Sequence, residues 1–417
     1  MSPITTAAGF TVGVELDGAG SHPAAWREPD ARPDALFSAG YWTELLRIAD
    51  DAGLDYATFA DALSLPAPPR ADRVAGRLDA LLTASWVAPR TTGIGLIPTV
   101  TTTHTEPFHV ATSLQTLDHI SEGRGGWQLR VSAEPEAAAA FGRRTAPDID
   151  ARRVGAGESD PGLDELLAEA AEVAEVARLL WASWDADAEI RDAETGRFLD
   201  RDRVHHVRYA GERFSVAGPS IVPRSPQGQL PITVLSHSPR VHELAADAAD
   251  VVFITPESAS ARAGASRGRT AAELVAQVRE AETARERAAS GRAPLRIVAD
   301  LIVALDAPEE TGAARLARLD AADGEVYESD ARIASGTAAE LAELIAAWRD
   351  AGVDGVRLRP LTLPGDLTAI ADELLPLLRE RGLAPAPGRR SLRERFGLAP
   401  APLRGPLTRT APEENAA

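Results

Sequence analysis

The sequence predicts an α/β chain folded as a (β/α)8 TIM barrel, with an inserted region at about 142–229 and a C-terminal tail at about 382–417. Three observations carry this expectation. Short β-branched runs alternate with helix-period segments along most of the chain, which favours parallel βα units over a sandwich. About eight such strands can be counted, the number that closes a barrel. The length of 417 residues would otherwise suggest two or three domains, but barrels with insertions fill this range as one, so 1–417 is expected to form a single domain.

Taken in order, Thr11–Leu16 (TVGVEL) is the first strand, and a Pro- and Gly-rich stretch leads to a helix from Tyr41 to Ala52 stopped by Gly53. Leu54–Ala60 is the next strand and ends at Asp61. A helix over Arg73–Ala88 precedes the strand Thr92–Pro98, a Thr-rich loop over Thr99–Thr105, and a helix opening at Pro107, where the first turn tolerates proline. Gly123 stops that helix, and Gly126–Val131 is strand-like. Residues 142–162 read as a loop, Leu163–Trp181 as an Ala/Glu/Leu helix, and 185–229 as an excursion outside the repeat. The repeat resumes with strand Leu230–Ser236, helix Pro239–Ala249, strand Asp250–Ile254, helix Ala271–Ala289 and strand Leu295–Leu305. After a charged segment to Ser335, Thr337 and Glu340 form a capping box that opens a helix ending at Gly352. Val353–Leu358 and a helix over Pro364–Arg381 complete the alternation. The Arg-rich stretch 262–269 reads as a solvated loop or a lid.

Composition removes several chemistries. There is no cysteine and no lysine, so thiolate nucleophiles, Cys-ligated metals, Schiff-base lysines and phosphate-loop lysines are absent. All 44 basic residues are Arg, against 62 acidic ones, for a net charge of −18. That balance repels a phosphate backbone, and 5% aromatic content leaves few stacking platforms, so nucleic acid is not an expected partner. No run of 18 apolar residues and no leader-like N-terminus is present, so no membrane association and a cytoplasmic location are the expectation. No metal site is expected. His205 and His206 are adjacent and cannot both point at one ion from a regular strand.

The segment Ile94–Ser132 (IGLIPTVTTTHTEPFHVATSLQTLDHISEGRGGWQLRVS) resembles the bacterial luciferase-like flavin-dependent monooxygenases, in the branch of nitrilotriacetate, dibenzothiophene-sulfone and long-chain alkane monooxygenases. Leu180–Asp185 (LWASWD), Arg203–Pro226 (RVHHVRYAGERFSVAGPSIVPRSP) and Gly388–Leu398 (GRRSLRERFGL) are similar to further segments of that branch. The resemblance implies a barrel, reduced FMN as co-substrate, a separate flavin reductase as its supplier, a small organic substrate oxygenated with molecular oxygen, and a dimeric or tetrameric assembly.

Carried over residue by residue, it implies that Asp61, Thr99, Gln128 and Ser238 hold the cofactor. Asp61 follows the second strand. Thr99 follows the third, ahead of Thr101, Thr102 and Thr103. Gln128 stands where the family has Asn beneath the flavin ring, and its amide is one methylene longer. Ser238, before Pro239, is placed as an N-cap where helix amides attract a phosphate. His104 replaces a family Tyr and could exchange protons near neutral pH. His119 reads as a capping or packing residue. No residue is assigned as proton donor. Two departures stand out: Leu163, Leu166 and Leu167 occupy the places of a polar His-x-x-Arg-Tyr motif, and Ser236 and Val241 replace glycines, with Val241 crowding a close backbone approach. These leave two further readings, a non-catalytic barrel acting as subunit or binding protein, and a deazaflavin-dependent oxidoreductase. The 142–162 loop and the 185–229 excursion are expected to shape the substrate pocket.

Overall fold

The computed structural model describes residues 9–65, 70–155, 158–258, 268–384 and 386–403. Eight parallel strands form a closed barrel in chain order: β1 (Thr11–Leu16), β2 (Tyr56–Phe59), β3 (Gly95–Thr101), β4 (Trp127–Arg130), β5 (Ile232–Leu235), β6 (Val251–Ile254), β7 (Arg296–Leu305) and β8 (Gly355–Pro360). Closure is made by β8 on β1, with Thr11 opposite Gly355 and Val14 opposite Leu358. The ten-residue β7 serves two neighbours on one side: its first half pairs with β6 and its second half with the strand Arg332–Gly336.

The expected strands are all found, with boundaries shifted by a few residues. β3 runs on through Thr99 to Thr101, so the predicted loop begins later. The predicted Arg73–Ala88 helix forms only from Ala80, where the Asp79 side chain caps the Leu82 amide at 2.8 Å. The preceding residues are drawn away because Arg73 reaches across to Asp323 at 2.9 Å. The charged segment before Ser335 contains a helix, Gly312–Asp323, capped by Thr311, and the strand Arg332–Gly336. Its solvated outer face hid the period. The last helix is broken by a π turn over Ile370–Leu374, just ahead of Pro376, whose missing N–H cannot continue the ladder. The capping box of Thr337 and Glu340 is present. Most of the Arg-rich 262–269 stretch lies outside the described residues.

The excursion 185–229 forms two antiparallel hairpins, Glu189–Asp192 with Arg197–Leu199 and Tyr209–Ala210 with Ser215–Val216. Its contacts run along the outside of the barrel: Arg213 on Glu172, Ser220 on Gln115, and Gln227 on Asp118.

Alternation along each strand sorts the side chains. Val12, Val14 and Leu16 face the helix layer, as do Leu96, Trp127, Val234 and Ile254. Tyr56, Ile97, Val251, Phe253 and Val298 face the lumen, where Leu392 and Phe396 join them. The short helix Leu392–Arg395 thus plugs the N-terminal end of the barrel. Two glycines make room for it: a Cβ on Gly95 or Gly126 would stand 2.5 or 2.7 Å from Leu392. Arg395 secures the plug by donating to Asp55 at 2.9 Å and to the carbonyls of Gly93 and Gly388. Close by, the buried Asp118 accepts from the backbone and side chain of Gln227 and from Gly125, while the Gln227 oxygen accepts from Arg393 N at 2.8 Å.

A truncation at the plug opens a cavity that rigid strands cannot refill. Leu392→Ala is expected to cost about 2–5 kcal/mol in urea unfolding, with the parallel strands intact by circular dichroism; a loss below about 1 kcal/mol would show that the plug is not part of the cooperative core.

Candidate active site

In such barrels the reactive residues gather at the C-terminal ends of the strands. Asp61 follows β2 and Ser238 lies just beyond β5, at the C-terminal mouth, while Thr99 lies within β3 and Gln128 is the second residue of β4, so the four candidates fall on four consecutive staves at two depths. Thr99 and Gln128 are direct register partners, and Gln128 is paired in turn with Thr233. All three are buried.

The lumen beneath this mouth is closed by a charged layer. Arg357, fully buried on β8, donates to Asp300 of β7 through Nε at 2.8 Å and through a second, shorter contact from Nη2. Its Nη1 donates to Gln128 Oε1 at 2.7 Å and to Thr58 Oγ1 at 3.3 Å, and its guanidinium lies 4.0 Å from the centre of the Phe253 ring. Burial works against this charge, but the Asp300 and Glu15 carboxylates more than offset it, so the Arg357 pKa lies above its usual value. One step nearer the mouth, Arg359 pairs with Glu15 at 2.5 Å and Asp330 at 2.8 Å. Asp330 meets His237 Nε2 at 3.3 Å, and His237 Nδ1 lies 3.3 Å from Thr255 Oγ1. Burial pushes the Asp330 carboxyl up, but His237 and Arg359 hold it well below the usual carboxylate range. The sequence reading passed over this network, although two arginines spaced by two in a strand (VRLRP) signal one charged face.

The other candidates are differently engaged. The Asp61 carboxylate accepts from Ala62 N at 2.7 Å and Ala80 N at 2.9 Å, so it ties the loop after β2 to the next helix; burial raises its pKa against those two bonds. Ser238 precedes the helix Pro239–Ala248 as expected, but its side chain makes no cap bond. Ser236 is the more committed serine, 2.6 Å from His242 Nδ1 in the interior. Leu166 and Leu167 are buried packing residues, with Leu163 partly buried, and Val241 packs on the core. His119 meets the Pro223 carbonyl at 3.0 Å, a packing role.

His104 takes a backbone conformation with φ of 69°. Thr103 accepts from Ser132 N on one side of it, and the Thr105 hydroxyl donates to Thr101 O on the other. Its ring stacks on Phe141 with centroids 5.3 Å apart, and its buried Nδ1 has no hydrogen-bond partner among the described residues. Burial, then the Arg144 charge, lowers its pKa, so the imidazole is neutral at pH 7.

A model of the luciferase-like monooxygenase family matches residues 19–355. The chain belongs to that family. It is 38% identical over 242 residues to N-acetyl-S-(2-succino)cysteine monooxygenase of Bacillus subtilis (strain 168), covering 58% of this chain and 52% of that protein. To nitrilotriacetate monooxygenase component A of Aminobacter aminovorans it is 34% identical over 251 residues, covering 57% and 52%. The matched part thus spans about half the length of these curated relatives. In structure, long-chain alkane monooxygenase superposes with a TM-score of 0.78 over 96% of this chain and 98% of that one at 22% identity, a likeness of fold. No helix among the described residues is long and apolar enough to cross a membrane.

One buried group of this luciferase-like chain predicts a pH dependence. Burial, with the charges of Arg269 and His237, pushes the His242 pKa down from 6.5 to about 4. Between those values the unfolded chain takes up a proton that the folded protein refuses, so stability falls as pH drops through this window and is unaffected by this group above it. The total change is about 3 kcal/mol. His242→Gln should flatten the slope of unfolding free energy between pH 6.5 and 4; an unchanged slope would show that other groups set it.

Proposed function

We propose that this luciferase-like protein is an FMN-dependent monooxygenase of the two-component type, receiving reduced FMN from a separate flavin reductase and oxygenating a small organic substrate. The observation that carries the reading is that Asp61, Thr99, Gln128 and Ser238 fall on four adjacent staves, Thr99 and Gln128 within the lumen beside the Arg357–Asp300 layer and Asp61 and Ser238 beyond the strand ends. The residues suit the group. The Gln128 nitrogen and the Ser238 hydroxyl make no bond within the described protein, and the helix behind Ser238 begins without a side-chain cap, leaving donors for a ring edge and for a phosphate. The relative named as a component A supports a system of two proteins.

Reduced FMN, when bound, supplies the electrons with which molecular oxygen is split between substrate and water. The protein's own share is binding, orientation and exclusion of water. Thr99 and Gln128 would hold the ring, and the Asp61 carboxylate fixes the loop after β2 through the Ala62 and Ala80 amides. Ser238 and the Arg240 amide would hold the phosphate, since Pro239 has no N–H and the Val241 and His242 amides donate to the Ser238 carbonyl. His104, whose buried Nδ1 is left unpartnered among the described residues, is our candidate to exchange a proton with substrate.

Two outcomes test this. Reduced FMN, titrated anaerobically into the full chain, should bind saturably and raise the melting temperature, because a ligand at 100 times its Kd stabilises the native state by about 2.7 kcal/mol; neither binding nor stabilisation would remove the reading and favour a non-catalytic barrel. His104→Gln should lower turnover about 100-fold or more while leaving the FMN Kd within about threefold. Unchanged turnover would take His104 out of the chemistry.

A further inference from the structure

We infer that the buried Arg357–Asp300 pair is a positioning device that fixes which end of the Gln128 carboxamide faces the mouth. At this point the protein then offers a cofactor ring two N–H donors and no acceptor. The inference rests on the flavin reading above and deepens it.

A guanidinium has five donors and no acceptor, so the amide atom that meets Arg357 Nη1 at 2.7 Å must be the Gln128 oxygen. Rotation of the amide would set donors against donors in a buried place. The guanidinium cannot move aside, because Asp300 holds it through two contacts, Thr58 takes a third, and the Phe253 ring lies 4.0 Å beneath it. Both members of the ion pair are fully buried. Gln128 Nε2 is left without a hydrogen bond among the described residues, inside the lumen at the level of Thr99.

The side-chain length is part of the device. Strands β4 and β8 lie opposite one another in the barrel, four staves apart. Gln128 spans the lumen to Arg357; an asparagine would stop one methylene short and lose the contact that orients it. The chemistry recognised is therefore an acceptor on the flavin ring, a pyrimidine carbonyl oxygen, and not the ring N3–H. Donors there favour the reduced, anionic ring over the neutral oxidised one.

Gln128→Glu is the deciding variant, since its carboxylate still accepts from Arg357 but has no N–H to offer. Full-length wild type, Q128E, Q128N, R357K and R357M would be compared by melting temperature, by anaerobic titration with oxidised and reduced FMN, and by the visible absorption of bound FMN. The expected result is a melting temperature for Q128E close to wild type with reduced-FMN affinity down about 30-fold or more. Q128N should bind about 10-fold more weakly than wild type, and R357K should retain a wild-type band that R357M shifts. Wild-type affinity in Q128E, or an unshifted band in R357M, would overturn the inference while leaving the flavin reading in place. No binding by wild type would overturn both. If R357M does not fold, the Q128E affinity decides.

Discussion

A barrel of eight strands must fill its own lumen, and here the middle of that lumen is filled by one arginine. Arg357 is fully buried, and burial of a lone guanidinium would cost far more than any single contact returns. It is tolerated because Asp300, Glu15, Thr58 and Gln128 meet it from four other strands. A buried ion pair of this kind adds little net stability, yet removing one member costs about 3–5 kcal/mol because the other is stranded. The pair therefore acts as a constraint on the staves around it. Strands β1, β2, β4 and β7 must all present their polar residue at the same height as Arg357, and that height divides an apolar floor from a polar mouth.

The floor has its own logic. Leu392 and Phe396 enter the lumen from the end opposite the mouth, and glycines at 95 and 126 give the space. The tail is held by polar bonds to residues far away in sequence: Arg395 to Asp55, and the Arg393 amide to Gln227, which is itself gripped by Asp118. Three of the sequence segments that look family-like, around residues 118, 227 and 392, thus meet in one lock. Their similarity reflects the closing of the barrel as much as its chemistry, which is why the motif match by itself could not separate site residues from scaffold.

What was legible in the sequence followed period and punctuation. The strands were readable because parallel strands buried on both faces are near-continuous apolar runs, and Thr337 with Glu340 announced its helix by a local capping rule. Local rules failed where long-range contacts decide. Residues 73–79 have helical composition but are drawn to Asp323, about 250 positions away, and the helix Gly312–Asp323 hides its apolar side under a charged surface. At the site, Thr99 and Gln128 were readable as polar residues in or beside apolar strand runs. Arg357 and Asp300 were not, because 57 and 229 residues separate Arg357 from its two partners and nothing local pairs them. Ser238 had the spacing of a cap, but cap formation depends on a side-chain rotamer that spacing does not set.

The helix Pro161–Trp181 bears on only one end of the proposed site. Leu166 and Leu167 are ordinary packing residues, and the neighbouring Asp164 is taken up by Arg240 at 2.8 Å, a pair that joins this helix to the one behind Ser238. With Arg240 engaged by Asp164 and Glu243, the phosphate end of the proposed site keeps the Ser238 hydroxyl and the Arg240 amide, and Arg269, whose charge acts on His242 in the same helix, is the described cation on that side. Helix amides at a partly exposed terminus contribute about 0.3–1 kcal/mol to an anion and are screened by salt. The ring end lies in a buried layer, where hydrogen bonds to oriented donors are stronger and salt reaches less. Under the proposed reading the orientation of one amide, set by Arg357, carries the ring end of cofactor binding.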